Sequence, residues 1–279
     1  MSGTRLDPIV ADVRRRAAER RRSQPLERLK ELVREDSWRR ERFLAAFPKG
    51  ELAFVAEMKR RSPSAGALLE EDGDAGSTLP TRLPRPGPRY FALAQSYRHG
   101  GAAAISVLTE LDHFGGSLDD LRAVEFTRLP RLRKDFLVDE AMLLESCLYG
   151  ADAVLLIAAI LEGGDLQRLR NAARELGLAV LLEVHDEREL ERALPLEPEL
   201  LGVNARDLRT LAVDLATVER LLPLVPAGPI KVAESGIRGV EDLRRVRAAG
   251  ADAVLVGEAL VRNGDPEATL RSWKEALRG

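Results

Sequence analysis

The chain has one cysteine, Cys147, in 279 residues. That excludes a disulfide framework and any cysteine-based zinc site, and Cys147 reads as a small core residue of a helix over Glu140–Leu148. The three histidines, His99, His113 and His185, are too scattered to suggest a metal site, and His185 reads as a rim residue capping the next helix. No run of 18 apolar residues exists, so no membrane span is expected. The N-terminus has no apolar signal-peptide segment, and a cytoplasmic protein is expected. A net charge of −2 argues against bulk affinity for nucleic acid.

Lysine is also scarce. Of 43 basic residues only six are lysines: Lys30, Lys49, Lys59, Lys134, Lys231 and Lys274. Three of these fall in short strand-like runs, which hold about a fifth of a typical chain. Arginine keeps its proton under all ordinary conditions, whereas a buried lysine can lose one, so strand-end lysines in an arginine-rich chain invite a chemical explanation. Lys59 and Lys134 are the residues this singles out. Alternation from Glu234 turns Lys231 toward the helices, a structural place.

Forty-five per cent of the residues are hydrophobic, enough for a large core. Apolar β-type runs are predicted at Leu52–Lys59, Ala103–Leu108, Pro130–Lys134, Ala153–Ala158, Leu178–Val184, Leu200–Asn204, Pro229–Glu234 and Ala253–Gly257. Amphipathic stretches separate them, among them 162–176, 186–194, 214–222, 239–249 and 266–277. Near-continuous hydrophobic strands alternating with helices imply a parallel sheet covered on both faces. Eight such units predict a closed (β/α)₈ TIM barrel of the α/β class, with a doubly wound open sheet as the competitor. The hexapeptide Gly150-Ala-Asp-Ala-Val-Leu155 recurs as Gly250-Ala-Asp-Ala-Val-Leu255, each at a helix-to-strand joint.

Residues 1–50 lie outside the barrel pattern and are expected to form an N-terminal helical extension packed on a barrel of residues 51–279, one domain overall. Arg14–Arg16 and Arg20–Arg22 alternate with acids nearby, which favours a mixed, solvated helix surface over a nucleic-acid site. Leu26, Leu29 and Val33 give the following helix an apolar stripe suited to covering one mouth of the barrel. From Ala65 to Pro88 runs a long connection rich in proline and glycine, for which an active-site lid and partial disorder are equal expectations.

Barrel active sites sit at the C-terminal ends of the strands. There the chain carries Glu57, Lys59 and Ser62, then Ser106 with Glu110, then Lys134, Glu183, Asn204, Glu234 and Glu258. Residues two apart in a strand share a face, so Glu57 and Lys59 are expected side by side. Taken alone, that pair could be a surface ion pair. Acids and lysines around one apolar mouth push each other's pKa values apart, as acid–base chemistry needs. Ser235-Gly236 and Gly257, after the last two strands, suit a phosphate: glycine admits backbone N–H groups to the anion, and helix N-termini favour negative charge.

The blocks Glu57-Met-Lys-Arg-Arg-Ser-Pro-Ser64, Ser106-Val-Leu-Thr-Glu110, Phe114-Gly-Gly-Ser117, Arg133-Lys-Asp-Phe-Leu137, Leu182-Glu-Val-His185, Gly202-Val-Asn-Ala-Arg-Asp-Leu208 and Ala233-Glu-Ser-Gly-Ile237 resemble, in this order, the indole-3-glycerol phosphate synthase family. The resemblance runs from about residue 26 to 277. It implies ring closure, decarboxylation and dehydration of a carboxyphenylamino-deoxyribulose phosphate in tryptophan biosynthesis, with no cofactor and no metal. It also implies roles. Lys134 is the general acid at the substrate carbonyl. Lys59 clamps the anthranilate carboxylate and is a second candidate for the acid. Glu183 removes the ring proton and assists dehydration, and Glu57 orients Lys59 and the leaving hydroxyl. Asn204 and Arg206 fix the substrate hydroxyls and Glu183, with Glu234 in the same acid–base set. Ser62, Ser235, Gly236 and Gly257 take the phosphate, Ser106 joins the substrate contacts, and Phe114 and Phe136 wall the aromatic ring. The expected partner is a small anionic sugar phosphate, with neither nucleic acid nor membrane. A monomer is expected, with association with other tryptophan-pathway enzymes as a further expectation.

Three departures from the family pattern stand out: the length of the 65–88 connection, His113 where an aromatic is common, and Ala205 where Asn or Ser is common. Two other readings remain open at this level. A different sugar-phosphate barrel enzyme would reuse the phosphate site; an isomerase would want a Cys–Asp pair at the rim and an aldolase a Schiff-base lysine. A non-catalytic barrel that binds a ligand or partner is the other.

Overall fold

The computed structural model describes residues 6–23, 25–33, 38–62, 66–69 and 86–278, without the side chain of Ser62. Eight parallel strands close into a barrel: β1 Ala53–Met58, β2 Ala104–Leu108, β3 Arg131–Lys134, β4 Ala153–Ile157, β5 Ala179–Val184, β6 Leu200–Asn204, β7 Ile230–Glu234 and β8 Ala253–Val256. Each ends within one residue of its expected limits. Neighbours in sequence are neighbours in the barrel, and β1 closes the ring by pairing with both β2 and β8. Closure leaves no edge, so the open-sheet alternative is overturned. Apart from the first residues of β7 and the last of β3, the strands are buried throughout, as expected for a sheet wrapped by helices.

The outer helices are α4 Pro88–His99, α5 Leu118–Ala123, α6 Glu140–Leu148, α7 Asp165–Glu175, α8 Glu187–Ala193, α9 Ala216–Leu221, α10 Val240–Ala248, α11 Glu258–Arg262 and α12 Pro266–Ala276. They follow α1 Asp7–Ser23, α2 Leu26–Leu32 and α3 Trp38–Leu44 of the N-terminal segment. Several start on side-chain caps: Asp139 accepts from Met142 N, Asp186 from Glu189 N and Asp265 from Ala268 N, while Ser117 and Asp120 form a capping box on α5.

The repeated hexapeptide marks one device used twice. Gly150 (φ 81°) and Gly250 (φ 96°) end their helices in the left-handed region that glycine adopts freely. Two residues on, Asp152 accepts the backbone N–H of Arg131 at 2.7 Å and Asp252 that of Lys231 at 2.9 Å. Each aspartate thereby ties the start of the preceding strand at the bottom of the barrel. Lys231 turns outward as expected, its Nζ donating to Val225 O at 2.6 Å.

The N-terminal segment differs from its sequence reading. The mouth is covered by α1, not α2. Ile9, Val10, Val13 and Ala17 form a buried stripe on α1, and Leu6, Pro8 and Ile9 reach the cavity at the C-terminal rim. Arg14, Arg15, Arg21 and Arg22 are exposed, as expected of a mixed surface, but the α1 arginines also reach the barrel. Arg16 meets Glu110 and Asp112, both at 2.6 Å; Arg20 meets Glu145; Arg21 meets Asp139; and Arg14 donates to Ile160 O. Leu29 of α2 packs on Ala141 and Leu144 at the side of the barrel. α3 passes under the bottom, where Arg42 pairs with Asp152 at 2.9 Å and Arg40 with Glu199. The segment therefore straps the barrel from top to bottom.

Of the 65–88 connection, residues 65 and 70–85 lie outside the described residues, and with them the expectation of a lid or of disorder. What is described after β1 is a short antiparallel ladder in which Arg61 and Ser62 pair with Ala67 and Gly66.

Candidate active site

The strand ends surround a cavity of about 510 Å³. Its wall brings together Glu57 and Lys59 after β1, Lys134 and Phe136 at β3, Glu183 at β5, Asn204 and Arg206 at β6, Glu234, Ser235 and Gly236 at β7, and Gly257 after β8. Phe114 closes one side, its ring centroid 6.2 Å from that of Phe136. Leu155 and Ile157 of β4 are apolar, as expected for that strand.

Lys134 is the electrostatic centre. Its Nζ donates to Glu183 Oε2 at 3.0 Å and to Glu234 Oε2 at 2.9 Å. Burial alone would strip its proton, but Glu183, Glu234 and Glu57 overcome that and hold the ammonium firmly charged. A second pair, Lys59 Nζ to Glu57 Oε1 at 2.7 Å, stands beside it, as two-residue spacing in a strand dictates. Glu57 is also buried, yet Lys59 and Lys134 keep its pKa below the ordinary carboxylate value.

The two carboxyls on Lys134 part company. Burial works against ionisation of both. For Glu183 the charges of Lys134 and His185 outweigh burial and hold the group ionised. For Glu234 burial wins, and with the charge of Glu183 it pushes the carboxyl up to about 8 against the pull of Lys134. Two like charges this close do not ionise independently, and burial tilts the proton toward Glu234.

Two glycines make room for this arrangement. A Cβ on Gly202 of β6 would run into Glu234 Oε1 from the next strand, and one on Gly257 would come within 2.8 Å of Glu57 Cβ. Gly257 thus has a second reason to be glycine beyond its place at the start of α11. Ser235 (φ 65°) and Gly236 (φ 82°) are consecutive residues with positive φ, in a turn that forms part of the cavity wall. Asn204 Oδ1 accepts Arg206 N at 3.0 Å, and the Arg206 guanidinium donates to Leu211 O, so both are oriented by their own loop.

One expected contact falls elsewhere. Ser106 is buried within β2, opposite Glu57 in the strand register, and is not part of the cavity wall. The Ser62 side chain lies outside the described residues. Glu110 accepts backbone N–H groups of Asp112, His113 and Phe114 as well as Arg16, so it shapes the loop carrying Phe114 and anchors α1.

Sequence reasoning missed the α1 contribution of Leu6, Pro8 and Ile9, although the spacing of Ile9, Val13 and Ala17 carried the signal of a buried helix face. It also gave His185 the helix cap that belongs to its neighbour: Asp186 caps α8, while His185 turns its ring to Glu183 and Glu189. No group of three or more His, Cys, Asp or Glu among the described residues is arranged to hold a metal. No helix among them is long and apolar enough to cross a membrane.

The sequence pattern of the indole-3-glycerol phosphate synthase family matches residues 6–273. The chain is 50% identical over 267 residues to the indole-3-glycerol phosphate synthase of a Nocardioides species, covering 95% of this chain and 96% of that one. It is 47% identical to the enzyme of that name from a Parafrankia species, covering 94% of this chain and 91% of the other. Among solved structures, orotidine 5'-phosphate decarboxylase from Pyrococcus horikoshii overlays with a TM-score of 0.54 at 20% identity, covering 68% of this chain and 93% of that one, a likeness of fold alone.

Proposed function

The chain belongs to the indole-3-glycerol phosphate synthase family, and on that premise we propose how the residues of its mouth divide the work. The chain catalyses the family's reaction: the carboxyphenylamino-deoxyribulose phosphate closes to indole-glycerol phosphate, releasing carbon dioxide and water. The ring carbon bearing the carboxylate attacks the ketose carbonyl, carbon dioxide leaves, and loss of water then gives the indole.

Lys134 donates a proton to the carbonyl oxygen as the ring carbon attacks. The observation that carries this is its ammonium, held between Glu183 and Glu234 at the cavity wall. A proton donor so firmly charged gives up its proton only when the carbonyl develops negative charge, and positioned acid catalysis of this kind contributes about 10²–10⁴ in rate. Lys59, held by Glu57, faces the substrate carboxylate and keeps it near the attacking geometry. Glu183 is ionised and takes the ring proton during dehydration. Glu234, protonated near neutral pH, withholds a second negative charge from Lys134 and stands ready to donate to the departing hydroxyl. Asn204 and Arg206 hold the substrate hydroxyls. Gly236, Ser235 and Gly257, with Ser62, take the phosphate, and Phe114 and Phe136 flank the aromatic ring.

The same proposal takes the protein as a monomer acting in the cytoplasm, alone or beside other enzymes of the pathway. The extension of residues 1–50 and the barrel of 51–279 act as one domain. Following indole fluorescence after adding the carboxyphenylamino sugar phosphate tests the division of labour: Lys134→Met abolishes the signal while the circular dichroism spectrum stays that of the parent. Undiminished turnover in that variant refutes the acid role. Light scattering at the mass of a dimer or larger refutes the monomer.

A further inference from the structure

Behind Glu183, on the side away from Lys134, sits an imidazole that the proposed chemistry leaves unused. His185 lies just after β5, its side chain only 9% exposed. Nδ1 is 2.9 Å from Glu189 Oε2 on α8, and that same oxygen accepts the His185 backbone N–H at 2.9 Å. Nε2 is 3.2 Å from Glu183 Oε1, an ion-pair approach rather than an aligned hydrogen bond. Both ring nitrogens therefore face carboxylate oxygens. A neutral imidazole carries one N–H and one lone pair, so in either tautomer one lone pair would be pressed against an anion out of reach of water. Only the doubly protonated ring turns an N–H, and no lone pair, toward each carboxylate.

We propose that His185 is a positioning residue for Glu183: a buried imidazolium, oriented by Glu189, that holds the Oε1 edge of the carboxylate and keeps it ionised when Lys134 turns to the substrate. The inference rests on the reading of Glu183 as the base. Oε2 is held by Lys134 and Oε1 faces His185. Once Lys134 engages the substrate carbonyl, Glu183 loses one of its two cations, and Glu234 supports it by a hydrogen bond but brings no positive charge. Without His185 the buried carboxylate would then drift upward in pKa and stop being an available base. The ionisable groups that bear on the ring are Glu183 from β5 and Glu189 from α8; beyond Glu183 stand Lys134 from β3 and Glu234 from β7. The two adjacent carboxylates overcome burial and raise the imidazole to about 10, in keeping with the geometry.

The test has two arms. In the unsubstituted protein, nuclear magnetic resonance of the three imidazoles, assigned through His99→Asn and His113→Asn, shows one ring still charged above pH 8. A His185 ring that titrates near the ordinary value of about 6.5 overturns the proposal. The second arm measures kcat and KM against pH for His185→Gln, which keeps a donor toward Glu183 but no charge. The acid limb of kcat, which reports the substrate complex, moves up by about 1–3 units, while KM changes less than about threefold. A merely structural role lowers the melting temperature and leaves that limb where it was, and this result also overturns the proposal. Glu183→Gln in the same assay separates the two readings. If it is inactive while His185→Gln matches the parent in rate and limb, the positioning role falls and the base assignment stands. If Glu183→Gln keeps full activity, the base assignment falls and the positioning role with it.

Discussion

Glu234 lies over Gly202 of the neighbouring strand, its Oε1 in the space that any side chain at 202 would need. Gly202 is buried in the middle of β6 and is not one of the positive-φ glycines, so the constraint is steric rather than conformational. Gly202→Ala therefore pushes Glu234 off Lys134. Overpacking of this kind costs about 1–3 kcal/mol; felt in the transition state, that is a fall in kcat of about 10- to 100-fold. In Gly202→Ala/Glu234→Ala the clash is gone, so the melting temperature recovers relative to Gly202→Ala although activity does not. Additive losses of stability in the double variant contradict this account.

Removing the cation between two carboxyls has a consequence for stability as well as rate. In Lys134→Met, Glu183 and Glu234 face each other without the ammonium that both contact. Turnover falls by about 10²–10⁴ or more. Glu234 is left buried with no cation while Glu183 keeps His185, so Glu234 rises further in pKa and holds a proton that the unfolded chain releases. The variant thus loses stability as pH rises through the neutral range, more steeply than the parent. Urea titrations at pH 5.5 and pH 8 measure the difference; equal losses at both values contradict it.

Glu234 has its own signature. Its carboxyl rises from 4.5 to about 8 on folding. Between those values the folded chain binds more protons than the unfolded one, so this group erodes stability as pH increases. Glu234→Gln cannot lose a proton. The difference in unfolding free energy between Glu234→Gln and the parent should move in the variant's favour from pH 4.5 to pH 8 and level off above. A difference that stays flat across that window shows that Glu234 is ionised in the free protein.

Arg16 joins α1 to the loop after β2 through Glu110 and Asp112. Glu110 keeps its backbone donors without Arg16, so the loop persists while α1 loses its hold. Loss of a charge-assisted bond of this kind costs about 1.5–3 kcal/mol. Arg16→Ala should raise KM several-fold, because Ile9 and its neighbours no longer close the mouth, while kcat at saturation falls less than twofold. An unchanged KM argues that α1 is not part of substrate retention.

The barrel was legible because parallel strands covered on both faces read as continuous apolar runs, and each of the eight was bounded by helix and turn signals. The polar residues at the strand ends were legible for the same reason: once topology is known, the C-terminal ends share a rim. What could not be read depends on distance in the chain. The arginines of α1 look solvated beside their sequence neighbours, yet their partners Glu110, Asp139 and Glu145 arrive about a hundred residues later. Gly202 and Gly257 look like ordinary glycines until strand register sets them against Glu234 and Glu57. His185 could be placed at the rim, but which way its ring turned was decided by Glu189, one helical turn on in α8.

The strap formed by the N-terminal segment sets an order of events during synthesis. Its helices leave the ribosome before any strand, but Arg16 waits for Glu110, Arg42 for Asp152 and Arg40 for Glu199. Until those partners exist, its buried apolar residues have nowhere to dock, and contacts across so long a stretch of chain are slow to close. The helices made early wait for partners made much later. α1 has its full set of polar partners, Glu110 to Ile160, only once β4 is made, so a chain arrested just after β3 would display Lys59 and Lys134 of its half-built rim to any anion nearby.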